Sequence, residues 1–172
     1  MDLEDKFDEL LLVSQTKHVE TEKHNLVKKR AEVGAKDKFE RTTELHFAAK
    51  EGNLHVVKRL VGQDAALNEK NWFGIAALHL AAKARHVDIV KYLVGNGAQV
   101  NAQTLKNAEA ALHIAAQVGH GDMVKYLIKN GAQMNVINSH NEMAFQMATR
   151  AGHVDIVKFL VENGAEVNAK TL

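Results

Sequence analysis

The 172-residue chain contains neither cysteine nor proline. The lack of cysteine excludes disulfides, thiolate nucleophiles and thiolate metal sites. The lack of proline means that no helix start or turn has its φ fixed by a ring. Charge of one sign is missing too. Lys and Arg number 22 and Asp and Glu 21, for a net charge of +1, whereas a chain built to hold nucleic acid carries a basic surplus. No apolar run approaches the roughly 20 residues that a membrane-spanning helix needs. The opening Met1-Asp2-Leu3-Glu4-Asp5 is acidic where a secretory signal is basic. Together these absences point to a soluble intracellular chain, cytoplasmic or excised from a longer one, with no nucleic acid as partner and no membrane insertion. At 46% hydrophobic and 25% charged residues, the composition is that of a folded protein.

What the chain does have is a recurring sentence. Leu78-His79-Leu80-Ala81-Ala82 is preceded 33 positions earlier by Leu45-His46-Phe47-Ala48-Ala49. It is followed 34 positions later by Leu112-His113-Ile114-Ala115-Ala116, and after another 33 by Phe145-Gln146-Met147-Ala148. A fixed period of this size means stacked supersecondary units that bury their apolar surface against neighbours.

Each unit reads from local physics. Leu78, Ala81 and Ala82 are spaced 0, 3, 4 and make one apolar helical stripe, whose two alanines let a neighbouring helix approach closely. Ile89, Val90, Leu93 and Val94 make a second, bulkier stripe. Asp88, Asp122 and Asp155 open these second helices, where a carboxylate suits the positive end of the dipole. Asn96-Gly97, Asn130-Gly131 and Asn163-Gly164 each follow a helical stripe, so the glycines are expected in the left-handed position that ends a helix. Two antiparallel helices and a projecting turn make the unit. The single interval of 34 places one extra residue in the turn between the second and third clear units, which should therefore differ in shape.

These residues resemble the ankyrin-repeat family, whose fingerprint is Thr-Pro-Leu-His-x-Ala in a period of about 33 residues. The resemblance rests on Leu-His-x-Ala-Ala in three units, Gly119-His120 and Gly152-His153, and three instances of Gly-Ala-x-x-Asn, and it covers at least residues 38–172. It implies an all-α solenoid of four clear helix-turn-helix repeats with projecting β-turns. Two departures stand out. The Thr-Pro pair is replaced by Thr43-Glu44, Ala76-Ala77, Ala110-Ala111 and Met143-Ala144. Arg85 stands where the other units carry Gly52, Gly119 and Gly152. The absent prolines fit either an A+T-rich genome or deliberate engineering.

The unit boundaries read as 38–70, 71–104, 105–137 and 138–172. Residues 1–37 read as a degenerate N-terminal capping repeat, because Ala31-Glu32-Val33-Gly34-Ala35-Lys36 echoes Ala165-Glu166-Val167-Asn168-Ala169-Lys170. Glu20, Thr21, Glu22 and Lys23 would give this unit the polar outer face that a cap needs. The alternative is an amphipathic helical leader with Leu3, Phe7, Leu10 and Leu11 along one side. At the other end, Ile156, Val157, Phe159, Leu160 and Val161 show no polar replacement, which reads as truncation from a longer array.

Candidate chemistry is weak by comparison. Ten histidines are present, but His46, His79 and His113 share one repeat position and His86, His120 and His153 another. Packed helix axes lie about 8–10 Å apart, too far for stacked histidines to share an ion whose ligands sit about 2 Å away. The resemblance implies that the first set bonds to backbone between repeats. No glycine-rich loop precedes a Lys-Ser or Lys-Thr pair, and Ser14 and Ser139 lack the surroundings of an activated nucleophile. Lys28-Lys29-Arg30 reads as a solvated helix end. No catalytic residue, cofactor or metal is expected.

The informative positions vary while the scaffold stays fixed. The family meets partners through turn tips and the exposed side of the first helix, and the resemblance carries that role onto four tips. These are Phe39, Glu40 and Thr42; Trp72, Phe73 and Ile75; Lys106, Asn107 and Glu109; and Ser139, His140 and Glu142. The first-helix positions are Lys50-Glu51, Lys83-Ala84, Gln117-Val118 and Arg150-Ala151. Trp72-Phe73-Gly74-Ile75 puts the only tryptophan and two more apolar side chains on one turn, where other tips are mostly polar. Such groups form either the centre of a partner site, with Lys50, Lys83 and Lys106 around it, or a patch folded back onto an adjoining turn such as Phe39. The expected function is binding of another protein by a monomeric, slightly concave array without turnover. The alternatives are a regulatory or substrate-docking segment of a larger enzyme and an engineered binder.

Overall fold

A computed structural model describes residues 41–167. The chain divides at Glu40 into two units, of which the second, from Arg41 on, is the one described. The described residues hold eight helices: α1 (Glu44–Glu51), α2 (Leu54–Val61), α3 (Ala77–Lys83), α4 (Val87–Gly95), α5 (Ala111–Gln117), α6 (Gly121–Lys129), α7 (Ala144–Arg150) and α8 (Val154–Glu162). There is no strand among the described residues. Helices of seven to nine residues are too short to persist alone in water. Their stability comes from stacking: α1, α3, α5 and α7 pack in succession, as do α2, α4, α6 and α8, and each pair is closed by a short turn.

The repeat register survives as spatial equivalence. Leu45, Leu78, Leu112 and Phe145 are all buried, each at the start of a first helix. Ala48-Ala49, Ala81-Ala82 and Ala115-Ala116 are buried beside them, and their small side chains permit the close approach of consecutive first helices. The second row is filled by Val56, Val57 and Leu60; Ile89, Val90 and Leu93; Met123, Val124 and Leu127; and Ile156 and Leu160. Asp88, Asp122 and Asp155 occupy the first turns of α4, α6 and α8 as expected. Gly97, Gly131 and Gly164 take φ of 95°, 87° and 97°. Asp64 takes that place in the first pair at φ 58°.

The residues before the first helices, Thr43, Ala76, Ala110 and Met143, have φ between −86° and −98° and ψ of 166–167°. That is the extended conformation a residue adopts before proline. Ala77→Pro and Ala111→Pro are therefore each expected to raise stability by about 0.4–1 kcal/mol, by restricting the unfolded chain. Thermal melting of the single variants checks this, and a lower melting point would show that the ring collides with the neighbouring unit.

Arg85 has φ 65°, the same left-handed conformation as Gly52, Gly119 and Gly152 at 76–79°. The glycines do more than permit the turn. A Cβ on Gly52 would lie 2.6 Å from Cε1 of His86, and one on Gly119 would strike the ring of His153. Each ring thus rests on a bare glycine of the preceding unit, from where its Nε2 donates to the Lys50 or Gln117 carbonyl at 3.1 Å. At Arg85 a Cβ occupies the corresponding space. Arg85→Gly is expected to stabilise the protein by about 1–2 kcal/mol, the cost of a left-handed side-chain-bearing residue. Chemical denaturation measures this directly; an unchanged midpoint would mean that the neighbouring contacts already absorb the strain.

Candidate functional site

The projecting turns are built by side-chain caps. In the 71–75 turn, Oδ1 of Asn71 accepts from the amides of Phe73 and Ile75 at 3.0 Å, while its backbone N–H donates to the Ile75 carbonyl. Asn138 repeats this around 138–142, accepting from His140 at 2.9 Å and Glu142 at 3.0 Å. This is the local bonding for which Asn is favoured in turns. The turn carrying the extra residue differs, as its interval of 34 predicts. There Thr104 takes the cap position, its Oγ1 accepts from the Glu109 amide at 3.2 Å, and the loop closes over 104–109. Gly74, Ala108 and Asn141 occupy the left-handed corner of the three turns.

Neighbouring turns are tied together. The Leu105 amide donates to the Phe73 carbonyl at 2.8 Å, and the Ser139 amide donates to the Asn107 carbonyl at the same distance. Below them, asparagines four places after the left-handed residue that follows each second helix, Asp64 or Gly97, clamp successive units. Asn68 donates to the Gly97 carbonyl and accepts from the Gln99 amide at 2.7 Å; Asn101 does the same with Gly131 and Gln133, each at 2.9 Å.

The shared histidines are struts. The Ala76 amide donates to Nδ1 of His79 at 3.0 Å, so Nδ1 carries no proton and Nε2–H donates to the Ala102 carbonyl at 2.8 Å. His113 bridges the Ala110 amide and the Val136 carbonyl in the same way. His46 reaches the Ile75 carbonyl at 2.8 Å, and at its Nδ1 it meets both the amide and the hydroxyl of Thr43. Only the neutral Nε2–H tautomer satisfies both ends of such a bridge. Burial pushes the pKa of His79 and His113 below the usual histidine value, partly offset by the bonds to the carbonyls. In the fourth unit Gln146 substitutes, its Oε1 accepting from the Met143 amide at 2.8 Å.

On this rigid frame the side chains proposed from sequence are distributed unevenly. Trp72 is 64% exposed and Phe73 48%, so neither is folded away into the described part of the chain. Lys50, Lys83 and Gln117 stand exposed near the ends of α1, α3 and α5, and Lys106 and His140 on their turns. Arg150 is exposed but held by Glu142 at 2.6 Å. Asn107 is half-buried, its amide directed to the Glu109 carboxylate at 3.4 Å. Two expected tip residues are not free. Ile75 is half-buried at the foot of its turn, where its backbone serves Asn71 and His46, and Thr42 is buried. Both sit just before a first helix, where the chain turns into the stack. Phe39 and Glu40 lie outside the described residues, as do residues 1–37.

The residue that sequence reasoning missed is Leu105, 73% exposed beside Phe73. The extra residue in its turn was legible, but not which side chain it would push outward. Among the described residues no group of three or more His, Asp or Glu side chains is placed to hold a metal ion. Among them also no helix is long and apolar enough to cross a membrane.

Stacked helix pairs with braced, projecting turns and a variable exposed face define a repeat solenoid, a class whose face is suited to holding other macromolecules. The sequence family described as ankyrin repeats (3 copies) matches residues 10–104 and 103–171, nearly the whole chain. The chain belongs to the ankyrin-repeat family, whose members are generally protein–protein interaction modules. No curated protein sequence matches it.

Proposed function

We propose that this chain is a non-enzymatic module that binds a partner protein through its turn tips and the exposed ends of its first helices, with Trp72 and Phe73 at the centre. The observation that carries this reading is the exposure of both aromatic side chains on a turn fixed by four hydrogen bonds of Asn71. Aromatic anchors dominate interface energies, Trp above all. A turn already locked in shape also loses little conformational freedom on binding. Lys106 lies on the neighbouring turn, Lys50, Lys83 and Gln117 extend the surface along the first helices, and Asn107, Glu109, His140 and Arg150 continue it along the array. The module works as a monomer, with units at 38–70, 71–104, 105–137 and 138–172. Residues 1–37, outside the described residues, keep the reading from sequence of a degenerate capping repeat, and the family match begins at residue 10.

The test is a Trp72→Ala/Phe73→Ala double variant, compared with the intact chain for retention of bound partner and for melting. Affinity is expected to fall about a hundredfold or more, as loss of two anchor residues does. The stability change should stay within about 1 kcal/mol, as for exposed positions. Lost stability with unchanged affinity would assign the pair to the fold.

A further inference from the structure

We infer that the segment recognised at this surface is acidic and carries a bulky apolar anchor, seated across the seam where the Phe73 carbonyl accepts from the Leu105 amide; this rests on the binding reading above. Two turns contribute exposed apolar side chains at this seam. Leu105 lies against Gly74, where an added Cβ would meet its Cγ at 2.7 Å and its amide nitrogen at 2.6 Å. Trp72, Phe73 and Leu105 are all exposed large apolar groups, and the backbone bond of 2.8 Å holds their turns side by side. A contiguous exposed apolar patch on a rigid support marks an interaction site.

The charges on the turns and along the first helices select the partner. Lys50 and Lys83 are exposed on consecutive first helices that pack together, and Lys106 follows Leu105 directly. None of the three is in an ion pair among the described residues, where the pairs involve Arg41, Arg59 and Arg150. Lys70, just before the tip, donates to the Gln103 carbonyl at 3.1 Å. The carboxylates on the same turns and helix ends are fewer: Glu142 holds Arg150, Glu69 meets Arg41 at 4.0 Å, and Glu51 and Glu109 are outnumbered by Lys50, Lys70, Lys83 and Lys106. The balance of charge on this face is therefore positive. Such a rim favours Asp- and Glu-rich segments and disfavours basic ones, while the patch asks for a Leu or an aromatic ring.

The experiment is selection of a displayed library of random dodecapeptides on the full chain, with parallel selections on two variants. One is Trp72→Ala/Phe73→Ala/Leu105→Ser; the other is Lys50→Glu/Lys83→Glu/Lys106→Glu. Melting of each variant confirms that it is folded, all six positions being exposed. The expected result is enrichment of peptides combining Asp or Glu with Leu, Phe or Trp. These should lose binding to the first variant and weaken by about tenfold or more on the second at low salt, an effect that salt reduces. Enrichment of neutral or basic peptides that still need Trp72 and Phe73 would overturn the acidic assignment and leave the binding site standing. No enrichment, or peptides indifferent to the first variant, would remove the site itself and the inference with it. Salt-steep binding of a single-stranded oligonucleotide through the three lysines, tighter than any selected peptide, would overturn it in favour of nucleic acid.

Discussion

His79→Leu is expected to lower the stability of the array by about 2–4 kcal/mol, although leucine is similar in bulk and more apolar. The reason is that His79 closes two backbone groups at once, the Ala76 amide at 3.0 Å and the Ala102 carbonyl at 2.8 Å. Leaving a buried donor or acceptor unmet costs about 1–3 kcal/mol each. His113→Leu should behave alike, since it opens the same bridge between the Ala110 amide and the Val136 carbonyl. Glutamine is the informative control. Gln146 already fills this position in the fourth unit and accepts from the Met143 amide, so His79→Gln should retain more than half of the lost stability. Urea unfolding of the three variants measures the difference. Equal losses for leucine and glutamine would mean that shape, not bridging, is what the position supplies.

The same geometry makes the protein sensitive to mild acid. The folded-state pKa of His79 and of His113 lies below the ordinary value, with burial as the leading cause. The unfolded chain, with histidines titrating near about 6.5, then binds more protons than the folded chain at pH values between the two pKa's. Stability accordingly rises with pH across that window. The contribution is complete above about 6.5 and is lost as the pH falls toward the folded-state pKa values. Each histidine can contribute a slope of up to about 1.4 kcal/mol per pH unit. The structural event is simple: a proton on Nδ1 would face the Ala76 or Ala110 amide proton, turning an acceptor into a clash of donors. Denaturation midpoints between pH 7.5 and 5 should fall for the native chain and fall less for His79→Gln/His113→Gln. Parallel curves would place the acid sensitivity elsewhere.

Much of this fold was legible in the sequence because its cause is periodic. Leu78, Ala81 and Ala82 had to face inward once their spacing matched one side of a helix, and their recurrence every 33 or 34 residues required identical neighbours. Arg85 could be singled out because three other units carry glycine there, and its φ of 65° agrees. The candidate site was legible in part. Trp72 and Phe73 were visible as oddities on a turn, whereas Ile75 and Thr42, each two places before a helix start, look equally exposed in one dimension. Only the packed structure turns them inward.

The sequence by itself determined the repeating unit, its helical content and the places where the units differ, because these follow from local spacing and from the conformations that glycine and asparagine allow. The tertiary structure alone decided which atoms meet between units. Leu105 beside Phe73, Asn101 clamped to Gly131 and Gln133, and His79 bridging to Ala102 all join residues 23–32 positions apart. Such contacts depend on the angle and offset at which one unit stacks on the next. That offset is set by the summed packing of whole helix faces, which no single residue encodes.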